Sequence, residues 1–255
     1  MATGRLPDDG EPRLGGVTLP RGRRVDAVCG SAPVAWVTDE PVPDAGRIWR
    51  ELSAVSAETG LQPVLHATPD WIPGYQPSED FYEPQEIAAV DRMNAADILA
   101  ELWNGKAPAW QLNGPFPGLA PATDGQLGKA EVLDVLAALR PAHLTLVAAE
   151  RPADLLPLTG WCVTDAWESA VPIAAVLRSW EDRFGARLLQ IGPSAELRLL
   201  VDRPPRTMAA AQAVAAEHWV FCGAWIDRLH DAEVTVLADM VPHILNGSVW
   251  AFWWD

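Results

Sequence analysis

Hydrophobic and polar residues follow one another along the first half of the chain in a pattern that predicts a βαβ unit. Residues 32–40 (APVAWVTDE) and 61–67 (LQPVLHA) are short apolar runs, which are typical of buried strands. Between them, residues 44–60 carry apolar side chains at helical spacing, with Asp44 and Gly60 at the positions expected for helix caps. Because the connections are short, the two strands are expected to run parallel.

The second half of the chain alternates between strand and helix patterns more regularly. Leaving out one added helix, the order of its predicted elements is βαββαβ. This is the split βαβ or ferredoxin-like arrangement, in which the final strand pairs beside the first. The predicted strands are at 143–150, 186–192, 195–202 and 248–255, and the predicted helices are at 171–185, 207–222 and 234–247, after two earlier helices at 85–105 and 127–140.

These patterns together predict an α+β fold, in which a C-terminal ferredoxin-like domain with an added helix packs on an N-terminal region that contains the βαβ unit. The expected divisions are a flexible N-terminal segment at residues 1–30, an N-terminal α/β region with long aromatic and proline-rich loops at 31–141, and a C-terminal α+β domain at 142–255. The last segment, SVWAFWWD (248–255), is apolar on both faces of a strand. We therefore expect the N-terminal region to cover the sheet face that the C-terminal helices leave open.

Charge narrows the classes of partner. The 255 residues carry a formal net charge of −15, so no basic face is expected for nucleic acid, and a basic protein is the better electrostatic partner. Residues 1–16 lack the apolar stretch of a signal peptide, and no apolar run is long enough to span a membrane. Cys29, Cys162 and Cys222 show no CxxC spacing, which favours free thiols and a cytoplasmic location.

A set of tryptophan-anchored motifs carries a resemblance to a known family. In chain order they are PVAWVTDEPVP, GRIW, TGLQPVL, FPGLAP, ERPADLLPLTGW, VLRSWEDRFGARLLQIG, VAAEHWVFC and WAFWWD. Together they resemble the domain of unknown function 4253 family, especially its actinobacterial members. The resemblance implies that the domain covers about residues 148–255 and that the earlier motifs belong to the N-terminal extension of such members. It implies no reaction, since the family has no assigned function.

Glu217, His218 and Cys222 are the candidate catalytic residues. His218 and Cys222 lie one helical turn apart, so they can pair as a base and a nucleophile, or bind a metal if Asp227, His230 or His243 adds ligands. The alternative is that His218 and Cys222 are core residues. No HExxH, CxxC, phosphate-binding or nucleotide-binding motif is present, so no metal site and no cofactor is predicted, and enzymatic activity is left open.

Two other charged positions have two interpretations each. Trp180 precedes Glu181 and Asp182, which can act as an acid and a base or form salt bridges with Arg178, Arg183 or Arg187. Asp255 ends the chain with two carboxylates, which either bind an arginine or are solvated.

The leading functional hypothesis is a non-enzymatic protein-interaction module that binds a basic partner, in the manner of toxin-neutralising immunity proteins. The loop at residues 68–83 is expected to supply rigid aromatic anchors. The alternatives are a hydrolase or metal-binding protein that uses Glu217, His218 and Cys222, and a small-molecule binder with a tryptophan-lined cleft between the two halves. The candidate binding residues are Trp71, Tyr75, Phe81, Tyr82, Trp180 and Asp255.

Overall fold

The computed structural model describes residues 4–27, 32–68, 83–106, 114–161, 167, 169–192, 195–222, 226–227, 232–233 and 237–254. The first half contains β1 (Arg13–Leu14), β2 (Val17–Thr18), β3 (Gly22–Asp26), β4 (Pro33–Thr38), α1 (Ala45–Thr59), β5 (Leu61–His66), α2 (Ile87–Asp91), α3 (Ala95–Lys106) and α4 (Lys129–Ala137). The second half contains β6 (His143–Ala148), α5 (Leu155–Thr159), α6 (Ala170–Phe184), β7 (Ala186–Gly192), β8 (Glu196–Val201), α7 (Met208–Phe221), β9 (Ile226–Asp227), β10 (Ala232–Glu233), α8 (Leu237–Ile244) and β11 (Val249–Phe252).

Seven of the described strands form one mixed sheet in the order β11-β8-β7-β5-β6-β4-β3. β5 and β7 are parallel, and every other neighbouring pair in this sheet is antiparallel. With helices packed on it, this sheet confirms the predicted α+β class. β5 comes from the N-terminal region but lies between β6 and β7 of the C-terminal region, so the two halves share a single sheet.

The strand order differs from the predicted ferredoxin-like order. The final strand, β11, pairs with β8, not with β6. The reason is that β6 has no free edge, because β5 and β4 pair along its two sides. All six residues of β5 are buried, as expected for a strand with neighbours on both sides and helices on both faces.

The split βαβ arrangement appears instead in the N-terminal region. β4 and β5 are both antiparallel to β6, which lies between them, so the two strands joined by α1 are parallel as predicted but are not adjacent. The segment predicted to be flexible also contributes to this sheet, since β3 pairs with β4 and forms an edge.

Two hydrophobic cores lie on opposite faces of the sheet. Helices α3, α5, α6, α7 and α8 pack on one face, and α1 and α4 pack on the other. The N-terminal region therefore covers the second face, as the apolar C-terminal strand predicts. In β11, Trp250 and Phe252 are buried in the first core, whereas Val249 and Ala251 on the opposite side are half-buried.

Two of the predicted helix caps are present and one is not. Gly60 ends α1 in the left-handed conformation with φ of 66°, and Thr207 caps α7 by accepting a hydrogen bond from the amide of Ala210, both as predicted. Asp44 forms no side-chain cap on α1. The helix predicted at 85–105 is divided, because the side chain of Asn94 binds the amide of Ala96 and starts α3 separately.

Candidate functional site

Glu217 is completely buried on α7, and its carboxylate accepts four hydrogen bonds. Oε1 accepts from the amide of Ala120 at 2.6 Å and from the Arg183 guanidinium at 2.7 Å. Oε2 accepts from Trp180 Nε1 at 2.8 Å and from the second terminal nitrogen of Arg183 at 2.7 Å. The negative charge is therefore neutralised by a bidentate ion pair, and both oxygens are occupied by protein donors.

The Arg183 guanidinium is also fixed by several hydrogen bonds. Besides binding Glu217, it donates to the carbonyl of Ala120 at 2.8 Å, and its Nε donates to Ser179 on the preceding turn of α6. Only 13% of its side chain is exposed. The network therefore joins three of the sequence motifs: FPGLAP through Ala120, the α6 motif through Trp180 and Arg183, and the α7 motif through Glu217.

His218 lies beside this network inside an aromatic cluster and is 1% exposed. Its ring centroid lies 4.8 Å from that of Trp180, 4.5 Å from that of Trp250 and 4.8 Å from that of Phe252, with the ring planes close to perpendicular. Neither ring nitrogen has a hydrogen-bond partner among the described residues. The imidazole is therefore surrounded by T-shaped contacts with aromatic rings.

The ionisation of His218 follows from these surroundings. Complete burial lowers the pKa of His218 to about 3, and the positive charge of Arg183 acts in the same direction. The imidazole is therefore neutral throughout the physiological range. A neutral ring enclosed by aromatic side chains has no evident route for exchanging protons with a substrate.

Cys222 caps the C-terminal end of α7 and is completely buried. Its thiol donates to the carbonyl oxygen of Trp253 at 2.8 Å and so ties α7 to the last residues of the chain. Trp254 makes a second connection, since its Nε1 donates to the carbonyl of Phe221. Helix geometry places His218 and Cys222 one turn apart, but each contacts groups of the core, an arrangement that favours the core interpretation.

A metal site finds no support in the part of the chain that the structure describes, where no group of three His, Cys, Asp or Glu side chains is placed to hold an ion. Of the further ligands considered, His243 lies in α8. The position of His230 and the side chain of Asp227 are outside the described residues, as are the candidate binding residues Trp71, Tyr75, Phe81, Tyr82 and Asp255.

Alkylation of Cys222 distinguishes a core thiol from a nucleophile. We expect iodoacetamide at neutral pH to leave Cys222 unmodified in the folded protein and to modify it fully in urea, because the buried thiol must first be exposed by unfolding. Peptide mapping by mass spectrometry measures each cysteine separately, with Cys29 and Cys162 in the same sample. Rapid labelling of Cys222 in the folded protein would instead support the nucleophile hypothesis.

Trp180 is the centre of the aromatic cluster. Its ring contacts those of Phe221, Trp250 and Phe252 at 4.8, 5.7 and 5.1 Å between centroids, so its apolar surface serves the core. Its indole nitrogen binds Glu217, which leaves no part of this completely buried side chain for a partner.

Glu181 and Asp182 form salt bridges, but not with the predicted arginines. Arg151 binds both of them, at 3.3 Å from Glu181 and 2.6 Å from Asp182. Burial raises the pKa of Glu181, and the charge of Arg151 opposes that shift. The two carboxylates therefore share Arg151 as a counter-ion, which supports the salt-bridge interpretation over an acid and base pair.

The role of Arg183 as the partner of Glu217 was missed by sequence reasoning, although one signal for it exists. In AAAQAVAAEHWVF, a single carboxylate interrupts an apolar helix that is too hydrophobic to be a surface helix. Such a residue is rarely buried without a charged partner, so it calls for an arginine or lysine from elsewhere in the fold. Which of the 17 arginines supplies it depends on tertiary packing, which no local pattern encodes.

Comparison with known proteins places the C-terminal part of this architecture in a family. Residues 143–255 match the model of a family described as a domain of unknown function (DUF4253). Neither a search of curated proteins nor a search of solved structures finds a match to the chain. The matched region begins at the first residue of β6 and includes Trp180, Arg183, Glu217, His218 and the C-terminal aromatic strand. Residues 143–255 are therefore the part of the protein that resembles the DUF4253 family, and we call this region the DUF4253 domain.

Proposed function

We propose that the protein is a non-enzymatic interaction module that binds a basic protein partner through the outer surface of α2 and α3. The observation that carries this proposal is a set of exposed carboxylates without a described ion-pair partner. They are Glu83, Glu86, Asp97 and Glu101. A toxin-neutralising immunity protein is one class of protein that acts in this way.

The packing of α2 and α3 directs these carboxylates outwards. Both helices lie over α6, and α3 also packs on α7, with Leu99 and Trp103 buried beneath. Asp97 and Glu101 are one turn apart on the outer side of α3. Residues 83–106 contain five acidic residues, of which Asp91 is paired with Arg178, and two basic residues, Arg92 and Lys106. The surface therefore keeps a net negative potential that attracts a basic protein.

Apolar contact area is available on the same surface. Met93, in the turn between α2 and α3, is 46% exposed, and methionine side chains adapt readily to a partner surface. An exposed apolar side chain among carboxylates is typical of a binding surface, in which a few apolar contacts provide affinity and the charges steer association.

The alternative of an enzyme that uses Glu217, His218 and Cys222 has less support. The Glu217 carboxylate is saturated by protein donors, His218 is enclosed by aromatic rings, and the Cys222 thiol donates to a backbone carbonyl. General acid–base catalysis and nucleophilic catalysis both need a group that can approach a substrate.

Charge reversal tests the proposal. The variant Glu86→Lys/Asp97→Lys/Glu101→Lys is expected to lose capture of a basic protein from an extract of the protein's own cells, while the wild-type protein retains it. Because exposed charges are screened, capture should also weaken between low and high salt. Captured proteins are identified by mass spectrometry, and direct binding is then measured with the purified partner.

A matched control carries the same change in charge on the other side of the sheet. Glu40→Lys/Glu58→Lys/Asp134→Lys replaces three exposed carboxylates on or near α1 and α4 and should bind as the wild-type protein does. An equal loss of capture in both triple variants would show that net charge, and not this surface, determines binding. A wild-type protein that captures no basic protein would contradict the proposal.

A further inference from the structure

A cavity of about 190 Å³ lies where the N-terminal region meets the DUF4253 domain. One wall is formed by α1 and the start of β5, which contribute Trp49, Ser53 and Gln62. The other is formed by the end of α6 and the start of β7, which contribute Glu181 and Arg187. This volume is below the range of drug-sized ligand sites and suits a small metabolite. It shares no residue with the acidic surface of α2 and α3.

Arg187 lines this cavity and carries one donor without a partner. Its guanidinium stacks over Trp49, with Cζ 5.3 Å from the ring centroid, and one terminal nitrogen lies 3.3 Å from Asp202. The Nε–H is buried and has no hydrogen-bond partner among the described residues. A buried donor without an acceptor destabilises a protein, so an atom in this state points to an acceptor supplied by water or by a ligand.

Gln62 presents an unused acceptor on the opposite wall. It is only 5% exposed, and its side-chain nitrogen donates to the carbonyl of Glu150 at 2.9 Å, which fixes the orientation of the amide. Its Oε1 accepts no hydrogen bond from the described residues and, unlike Arg187 Nε, is not fully buried. Trp49 is also fixed, since its Nε1 donates to the carbonyl of Pro63 at 3.1 Å. The walls are therefore preorganised before a ligand arrives.

The charges around the cavity define the ligand class. A simple anion is opposed by the carboxylates of Glu150 and Glu181, and a simple cation is opposed by Arg187. A molecule with an acceptor group and a cationic donor close together satisfies both walls. We propose that this cavity binds a free amino acid, with its carboxylate on the Arg187 guanidinium and its ammonium group on Gln62 Oε1 and on Glu181, which it shares with Arg151. Ala57 and Pro152 are further apolar residues that line the cavity.

Thermal unfolding with a panel of the twenty free amino acids at millimolar concentration tests this inference. At least one should raise the Tm of the wild-type protein, because a ligand that binds only the folded state stabilises it. Acetate and methylammonium, each of which carries one of the two charges, should not raise it. Titration calorimetry then measures the affinity of the amino acid that gives the largest shift.

Two substitutions connect binding to the cavity. Gln62→Met and Arg187→Lys should each weaken binding by about tenfold or more, since each removes a buried hydrogen-bonding group that would contact the ligand. Gln190→Met and Arg198→Lys change the same residue types on β7 and β8 outside the cavity and should bind as the wild-type protein does. An unchanged Tm with all twenty amino acids, an equal shift with acetate, or full affinity in both cavity variants would overturn the proposal.

Discussion

Replacing Glu217 with alanine is expected to lower the free energy of unfolding by about 3–5 kcal/mol. The substitution leaves the Arg183 guanidinium, of which 13% of the side chain is exposed, without its counter-charge. It also removes the acceptor for Trp180 Nε1 and for the amide of Ala120. A buried charge and two buried donors would then be unsatisfied together, which makes this change more costly than the loss of side-chain volume.

Urea unfolding monitored by tryptophan fluorescence measures this effect, and Asp182→Ala is the matched control. Asp182 also forms an arginine ion pair, at 2.6 Å from Arg151, but 68% of its side chain is exposed, so the substitution should cost at most about 1 kcal/mol. Similar losses in the two variants would contradict the structural role of Glu217.

A double-mutant cycle measures how strongly the Glu217 and Arg183 side chains depend on each other for stability. Glu217→Leu/Arg183→Met should be less destabilised than the sum of the two single variants, because neither charge is then left buried alone. Additive losses would mean that Glu217 and Arg183 stabilise the protein independently. This cycle is measured under the same urea conditions.

Elements with strong local patterns were predictable from the sequence. α6, β7, β8 and α7 lie within about two residues of their expected positions, because apolar spacing and caps such as Thr207 are local features. The two-sided burial of the sheet was also predictable, since the C-terminal strand has no polar face.

The strand order was not predictable, because it depends on a contact between distant segments. A βαββαβ pattern is equally compatible with a complete ferredoxin-like sheet and with one that admits a strand from outside. Here β5 enters between β6 and β7. Its sequence gives little advance signal, because Leu61, Pro63 and Leu65 form an apolar face but Gln62 and His66 lie on the other face, and yet all six residues are buried.

In the candidate site, too, the sequence predicts local spacing but not the contacts between distant segments. The spacing of His218 and Cys222 correctly places them one helical turn apart, but spacing does not reveal what surrounds them. The rings around His218 come from α6 and β11, and the acceptor for Cys222 is the carbonyl of Trp253. A pattern within one helix cannot distinguish a catalytic pair from two core residues, because the difference depends on which other helices and strands pack against those residues.

His218 should make the stability of the protein strongly dependent on pH. In the unfolded chain the imidazole titrates near its ordinary pKa of 6.5, whereas burial lowers the pKa of folded His218 to about 3. Between these values the unfolded state binds a proton that the folded state excludes. The contribution of neutral His218 is therefore complete above pH 6.5 and is lost progressively as the pH falls towards 3.

The size of the effect follows from the same two pKa values. Each unit of separation corresponds to about 1.4 kcal/mol, so the full loss near pH 3 is on the order of 4–5 kcal/mol. Between pH 7 and pH 5 the expected loss is about 2 kcal/mol, a range in which the protein should remain folded long enough for urea unfolding to be measured.

His218→Phe isolates this contribution. Phenylalanine keeps an aromatic ring beside Trp180, Trp250 and Phe252 but cannot bind a proton, and the carboxylates of the protein titrate alike in both forms. The difference in free energy of unfolding between the variant and the wild-type protein should therefore change by about 2 kcal/mol from pH 7 to pH 5, in favour of the variant at the lower pH. Parallel pH profiles would mean that His218 is accessible to protons in the folded protein, and the proton-transfer role that its burial argues against would again need to be considered.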